Sequence, residues 1–251
     1  MMINNIGIIT RRRKDSSKPE SDFRLLSEIE SQFNSRGVRT LLIKDVASLN
    51  QVFSISPKPL EALLCMSRSR QILNQIKAQG LVGVPVINSP SSILKTMNRP
   101  YLFSTLKFNK ICVPYTIWPK TPPDPNGRKF IRKSIDKSFT NKTSGHKTNG
   151  ATNGYIYQER IKYQKEVKIY LIGKTYFEKS KGFISRKESL KLYESSVLCQ
   201  KLLGLTFLSI DFLIAKDKNY IVDVNDFPSY ESVENASTLI VDEFLSKFNS
   251  N

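Results

Sequence analysis

Between Thr206 and Tyr230 the chain reads TFLSIDFLIAKDKNYIVDVNDFPSY, two short apolar strands joined by a Lys-Asp-Lys turn, with Asp211 on the first and Asp223 and Asn225 on the second. Side chains two apart on a strand project from one face, so Asp223 and Asn225 point the same way. With the turn centred on Asp217, antiparallel register sets Asp211 directly opposite Asp223. Facing carboxylates repel each other unless a cation lies between them. Magnesium held by oxygen ligands is the economical resolution. The alternative, a surface hairpin with solvated acids, fits less well with the Ile and Val that flank these acids on strands of buried character.

With 251 residues the chain can bury a sizeable core, as one large domain or two to three small lobes. No apolar run approaches the length of a membrane span. The opening MMINNIGIITRRRK has its basic cluster after a very short apolar run, the reverse of a secretory signal, which predicts a cytoplasmic protein. Cys65, Cys112 and Cys199 are odd in number and scattered, and predict buried thiols, not disulfides or a Cys-ligated metal. The formal charge of +17 suits a polyanionic partner, whether nucleic acid, nucleotide phosphates, a polyphosphorylated metabolite or an acidic peptide. A basic, solvated surface is the plain alternative. Lys and Arg are spread over several predicted elements and no recognition helix or aromatic RNA motif is present, which argues against nucleic acid.

Along the chain, NIGIIT predicts a buried strand, followed by the basic run Arg11-Arg12-Arg13-Lys14. Pro19 opens a helix carrying Phe23, Leu26, Ile29 and Phe33 at helical spacing, closed by Gly37. VRTLLIKDV and LEALLCM predict strands, 71–79 a helix, and VGVPVINSP a strand and loop. Strands alternating with helices imply a small parallel sheet whose ligand site lies at the carboxyl ends of its strands, where the basic run falls. Residues 89–110 predict one helix, and ICVPYTIW and KFIRKSI predict strands. From Asp136 to Gly154 the chain is polar and predicts a long loop. YIYQERI, EVKIYLIG and TYFEKSKGF predict three further strands, 187–203 a helix, and 230–248 a last amphipathic helix. Alternation puts Glu166, Lys168 and Tyr170 on one face.

Taken together these features resemble the ATP-grasp superfamily. Within it, DVNDFPSYESV is similar to a segment of the inositol tris/tetrakisphosphate kinases with an Asp-x-Asn-x-Phe-Pro-Gly-Tyr pattern. The resemblance runs over most of the chain from Asn5 onward. It implies an α/β fold of three parts: an N-terminal parallel α/β domain over 1–90, a reduced antiparallel lobe over 91–161 and a C-terminal lobe with the metal site over 162–251. It further implies that Asp211, Asp223 and Asn225 hold two magnesium ions against ATP, and that Lys133 and Arg99, which follows Asn98, contact its phosphates. Gln158, Glu159, Arg160 and Ile161 match the hinge that receives adenine, and Lys168 a lysine between nucleotide and acceptor. His146, in a Gly-containing loop, Arg11, Arg12, Lys14, Asn225 and Ser229 match positions facing the acceptor.

Each of these residues also has a plain reading. A strand lysine, a helix-surface arginine and a lone histidine in a polar loop are commonly just solvated. Ser229 and Ser232 stand where the kinases have glycines, and the small lobe is trimmed. GVPVINSP resembles the junction of glutamate-adding ATP-grasp ligases. The resemblance therefore implies a monomeric magnesium-dependent kinase acting on a hydroxyl of a polyphosphorylated small molecule such as an inositol phosphate, with a carboxylate–amine ligase working through an acyl phosphate as the alternative.

Overall fold

A computed structural model describes residues 3–55, 60–78, 83–118, 129–137, 154–216 and 218–248. β1 (Asn5–Ile9), β2 (Arg39–Ile43), β3 (Ala62–Cys65) and β4 (Val86–Ile87) form a parallel sheet in the order β2-β1-β3-β4. β1 and β3 are buried throughout, as their apolar sequences require of central parallel strands. The helices between strands are α1 (Pro19–Ser35), α2 (Val46–Ile55) and α3 (Arg70–Ala78). Strand order runs opposite ways from β1, so the carboxyl ends of β1 and β3, from which Arg11 and Arg68 emerge, form the sheet's natural ligand edge.

The sequence does not anticipate α2. The strand expected to reach Val46 stops at Ile43 because Asp45 accepts from the Ser48 amide at 2.7 Å and starts a helix. The single helix expected over 89–110 is two, α4 (Pro90–Met97) and α5 (Arg99–Phe108). Asn98 leaves helical geometry and its side chain accepts from the Tyr101 amide at 3.1 Å, capping α5, while Pro100 fits that helix's first turn.

A second, antiparallel sheet has the order β5-β7-β6, from β5 (Thr116–Ile117), β6 (Phe130–Ser134) and β7 (Tyr155–Glu159). The third has the order β11-β10-β8-β9, from β8 (Lys165–Ile172), β9 (Thr175–Ser180), β10 (Phe207–Ala215) and β11 (Lys218–Asp226). α6 (Arg186–Leu203) covers one face of it, packing Leu192, Cys199 and Leu203 against Val167, Ile210 and Phe212. α7 (Ala236–Ser246) begins six residues later than expected, after a run in which Phe227, Tyr230 and Asn235 take positive φ.

One core joins Ile6, Ile29 and Phe33 near the N-terminus to Phe207, Tyr230 and Phe244 near the C-terminus, so the first sheet and α7 are packed together. Asn88 completes the junction: its Oδ1 accepts from the Thr206 and Phe207 amides and its Nδ2 donates to the Phe207 carbonyl. The distinctive GVPVINSP segment thus has a packing role. Burial pushes the Cys65 and Cys199 thiols up to about 12, the state of inert core cysteines. Among the described residues no helix is long and apolar enough to cross a membrane.

Candidate active site

The face of the third sheet opposite α6 carries, around Asp211, the floor of a cleft of about 590 Å³, with Lys133 of the second sheet and residues that follow β1 and β3 in its walls. Register across the four strands produces an ordered row. Asp223 on β11 faces Asp211 on β10, Asp211 faces Lys168 on β8, and Lys168 faces Lys179 on β9. The row therefore runs acid, acid, base, base across the floor, with Asn225, Ser209, Tyr170 and Phe177 as the next row.

The facing of Asp211 and Asp223 matches the expectation, but it arises differently. Ala215 pairs with Lys218, which sets the register near the turn one residue earlier than a turn centred on Asp217 would, and Asp217 itself lies outside the described residues. A bulge between the Asp211 and Phe212 pairings leaves Val222 without a ladder partner and restores the shift. Continuous pairing would have set Asp211 opposite Val222 and turned Asp223 to the other face. Lys133 Nζ donates to the Val222 carbonyl at 2.7 Å and to Gln158 Oε1 at 2.7 Å, so the bulge is also the point where the second sheet grips the third.

Every acid in the row has a cation beside it. Lys168 Nζ lies 2.8 Å from Asp211 Oδ1, and Lys137 Nζ lies 2.8 Å from Asp223 Oδ1. Burial pushes the Asp211 carboxyl up, and the neighbouring Asp223 charge adds to the effect while Lys168 opposes it. Burial also works against Asp223, yet Lys137, Arg99 and Lys133 together hold its carboxyl well below the usual range. Three cations thus converge on one carboxylate, a surplus of positive charge suited to a polyphosphate.

A magnesium site fits these residues. Two carboxylates and the Asn225 amide are hard oxygen donors on one face, and all three line the cleft. Among the described residues there is no group of three or more His, Cys, Asp or Glu suited to a metal, so the donor set rests on two acids and an amide.

The other expected residues divide into several groups. Gln158 is buried, with its side chain receiving Lys133. The Glu159 and Arg160 amides donate to Tyr115 O and Lys129 O, tying the end of β7 to its neighbours, and Ile161 follows them half-buried. Arg99 stands behind Asp223 rather than in the cleft wall, its Nη1 donating to the Ser134 carbonyl at 2.7 Å. Arg11 lines the cleft, but its guanidinium is already engaged, with Asp22 at 3.1 Å, Phe227 O at 2.9 Å, and Asp226 O and Met66 O at 3.2 Å. Arg12 turns to Asp15 at 2.6 Å, beside a separate hollow. Ser229 lines the cleft. Neither Ser229 nor Ser232 has positive φ, so replacing glycine there costs no backbone strain, and Ser232 Oγ receives Lys179. His146 and the side chain of Lys14 lie outside the described residues.

Among residues that escape the sequence reading, Lys179 and Arg68 line the cleft, and Lys137 pairs with Asp223 from outside the lining. Lys179 was within reach, since alternation through the β8–β9 hairpin sets it beside Lys168. Arg68 sits at the carboxyl end of β3, where a parallel sheet binds ligands, and its Nε donates to Asp226 Oδ1 at 2.9 Å. Lys137 had no signal, falling in the stretch that reads as polar loop.

No protein-family model matches the chain, and no curated protein matches it by sequence. Solved structures do match in shape. D-alanine–D-alanine ligase from Bacillus anthracis superposes with a TM-score of 0.70 at 12% identity, over 97% of this chain and 96% of that one. A RimK-domain ATP-grasp protein from Sphaerobacter thermophilus gives 0.67 at 16% identity, over 96% and 99%. The ATP-grasp ligase PsnB complexed with its minimal precursor gives 0.61 at 14% identity, over 99% and 100%. The chain has the ATP-grasp fold.

Proposed function

We propose that the protein is an ATP-dependent enzyme that moves the γ-phosphoryl group of ATP onto an oxygen of an anionic small molecule, and that its acceptor is a hydroxyl of a polyphosphorylated compound of the inositol phosphate class. The observation that carries this reading is the cross-strand row Asp223, Asp211, Lys168, Lys179. Its acidic half suits magnesium with a triphosphate, and its basic half, extended by Lys181, suits an acceptor with several negative charges.

Asp211, Asp223 and Asn225 would hold magnesium, which supplies charge neutralisation on the phosphate oxygens. Lys133, anchored on Gln158 and Val222, presents its ammonium to the nucleotide side of the cleft. Lys168 lies between the acidic and basic halves, placed to neutralise charge on the group in transfer and to orient the acceptor. As the acceptor oxygen bonds to the γ-phosphorus, the bond to the bridging oxygen breaks and its electron pair leaves with ADP. The hydroxyl proton leaves to solvent. No protein nucleophile is required.

A second reading has one observation in its favour. Glu166 also lines the acceptor end and can receive an ammonium group, whereas Glu231 beside it already receives Lys18. That suits a carboxylate–amine ligase, in which the same transfer makes an acyl phosphate that an amine then attacks. Ligases such as those of Bacillus anthracis and PsnB share the fold.

Incubation with ATP, magnesium and a panel of inositol phosphates, beside a panel of acid and amine pairs, separates the two. A phosphorylated acceptor with ADP and no free phosphate supports the kinase. Free phosphate released only when acid and amine are both present replaces it with the ligase. Silence across both panels removes both.

A further inference from the structure

Lys137 lies three residues after β6, and its backbone is fixed from several sides. Its amide donates to the Met97 carbonyl at 3.1 Å. Next to it, Asp136 is held by Arg70, and Ser134 Oγ donates to the Asp136 carbonyl at 2.7 Å. The side chain is only 2% exposed, its ammonium donates to the Val224 carbonyl, and it lies 2.8 Å from Asp223 Oδ1. Burying an ammonium is costly unless it is paired, and here its anion is a carboxylate assigned above to the metal. Lys133 grips the Val222 carbonyl on the same strand, but Lys137 alone of the two forms an ion pair with Asp223.

Magnesium binds oxygen at about 2.0–2.1 Å. A fixed ammonium on the same carboxylate would sit close to a divalent cation in a partly dry site, where like charges repel strongly. We infer that Lys137 is a tethered counter-ion of the metal site: it keeps Asp223 neutralised and aimed while the cleft is empty, and it must release Asp223 before a divalent cation can take that oxygen. The inference rests on reading Asp211, Asp223 and Asn225 as metal donors. It makes the nucleotide the release signal, because phosphate oxygens offer the ammonium another anion. Metal and nucleotide then strengthen each other's binding reciprocally, and metal alone binds weakly.

The test is Mn²⁺ binding, followed by calorimetry and by the paramagnetic resonance of free Mn²⁺, with and without a non-hydrolysable ATP analogue. Lys137→Gln is expected to bind Mn²⁺ at least about tenfold more tightly than the natural protein when nucleotide is absent, and to lose most of the gain that the analogue confers. Lys137→Met gives the same reading if the Gln variant folds poorly. Lys137→Arg, which keeps the charge, is expected to bind as weakly as the natural protein. Unchanged or weaker binding in both neutral variants overturns the inference, as does an Arg variant that tightens as much as Gln. Asp223→Ala separates the two levels. If it leaves Mn²⁺ binding intact, the metal site itself has been misread; if it abolishes binding while Lys137→Gln changes nothing, the counter-ion inference alone fails.

Discussion

The hairpin of β10 and β11 and the loop that follows β1 are both dense in charge, and both border the cleft, yet their charges do different work. On the hairpin, Asp211, Asp223 and Asn225 share one face and open into the cleft. On the loop, Arg11 is 6% exposed and bound to Asp22, Asp226 O and Phe227 O, Arg12 is paired with Asp15, and Arg13 with Glu20. The hairpin presents charge to a ligand, whereas the loop mostly consumes charge in holding the chain together. Composition does not separate these roles. Pairing does not separate them either, since Lys168 pairs with Asp211 and Lys137 with Asp223; what separates them is position, for Asp211, Asp223 and Asn225 all line the cleft, whereas of the three loop arginines only Arg11 does.

The largest effect should come from the hairpin. Asp223→Ala is expected to lower ATP turnover by about 10²–10³-fold, the loss typical of removing one group that stabilises charge in transfer. The variant also leaves the buried Lys137 ammonium without its carboxylate and so loses some stability, while the Val224 carbonyl still accepts from it and the fold should persist. Steady-state turnover beside circular dichroism checks both halves. Turnover within a factor of about three of the natural protein would place Asp223 with the structural charges of the loop.

Arg68 tests the other side of the comparison. It bonds Asp226, whose side chain is 1% exposed, and reaches Asn225 Oδ1 at 3.5 Å. Arg68→Met leaves a buried carboxylate with only the more distant Arg11 at 4.0 Å, and should cost about 3 kcal/mol, or roughly 10 °C in Tm. Arg13→Ala removes a pair whose members are 74% and 75% exposed and should change stability by less than about 0.5 kcal/mol. Thermal unfolding of the two variants side by side decides it. Equal effects would erase the distinction between buried and surface charge on which the comparison stands.

The same distinction explains what the sequence disclosed. Spacing of two on a strand is local information, so the shared face of Asp223 and Asn225, the Asp211–Asp223 facing and the polar wall with Lys168 were all legible. The bulge at Val222 was not, because nothing local signals it, and the expected register was reached by two compensating shifts. α2 and the break at Asn98 carried readable signals, Asp45 three residues before Ser48 and Asn98 two before Pro100, but apolar periodicity outweighed them. Arg68 and Asp226 are 158 positions apart and Arg11 and Phe227 216, and no pattern of spacing joins such pairs. Only the packing of the first sheet against the end of β11 supplies them. The arginines of the basic run therefore read as ligand-binding although their partners lie within the chain.

A modest expected effect concerns a charge whose capping partner is local. Ser185 and Glu188 form a reciprocal cap at the start of α6: the Glu188 amide donates to Ser185 Oγ at 3.3 Å, and Glu188 Oε2 accepts from the Ser185 amide at 3.0 Å. The Ser185 amide first, then the Ser185 hydroxyl and Lys165, pull the Glu188 carboxyl down to about 2 from its ordinary 4.5. A carboxyl lowered on folding stabilises the folded chain fully above its unfolded value and loses that contribution as pH falls toward its folded value. The contribution should therefore be intact at pH 6 and decline from about 4.5 toward about 2. Glu188→Gln keeps an acceptor for the Ser185 amide but removes the charge, and Glu188→Ala removes both. The Ala variant should lose about 1 kcal/mol at pH 6 and the Gln variant less, with both differences shrinking by pH 3. Denaturant unfolding at the two pH values measures this. A Gln deficit that stays constant between pH 6 and 3 would mean that the cap holds α6 by shape alone, and that Glu188 belongs with the surface charges of the basic loop.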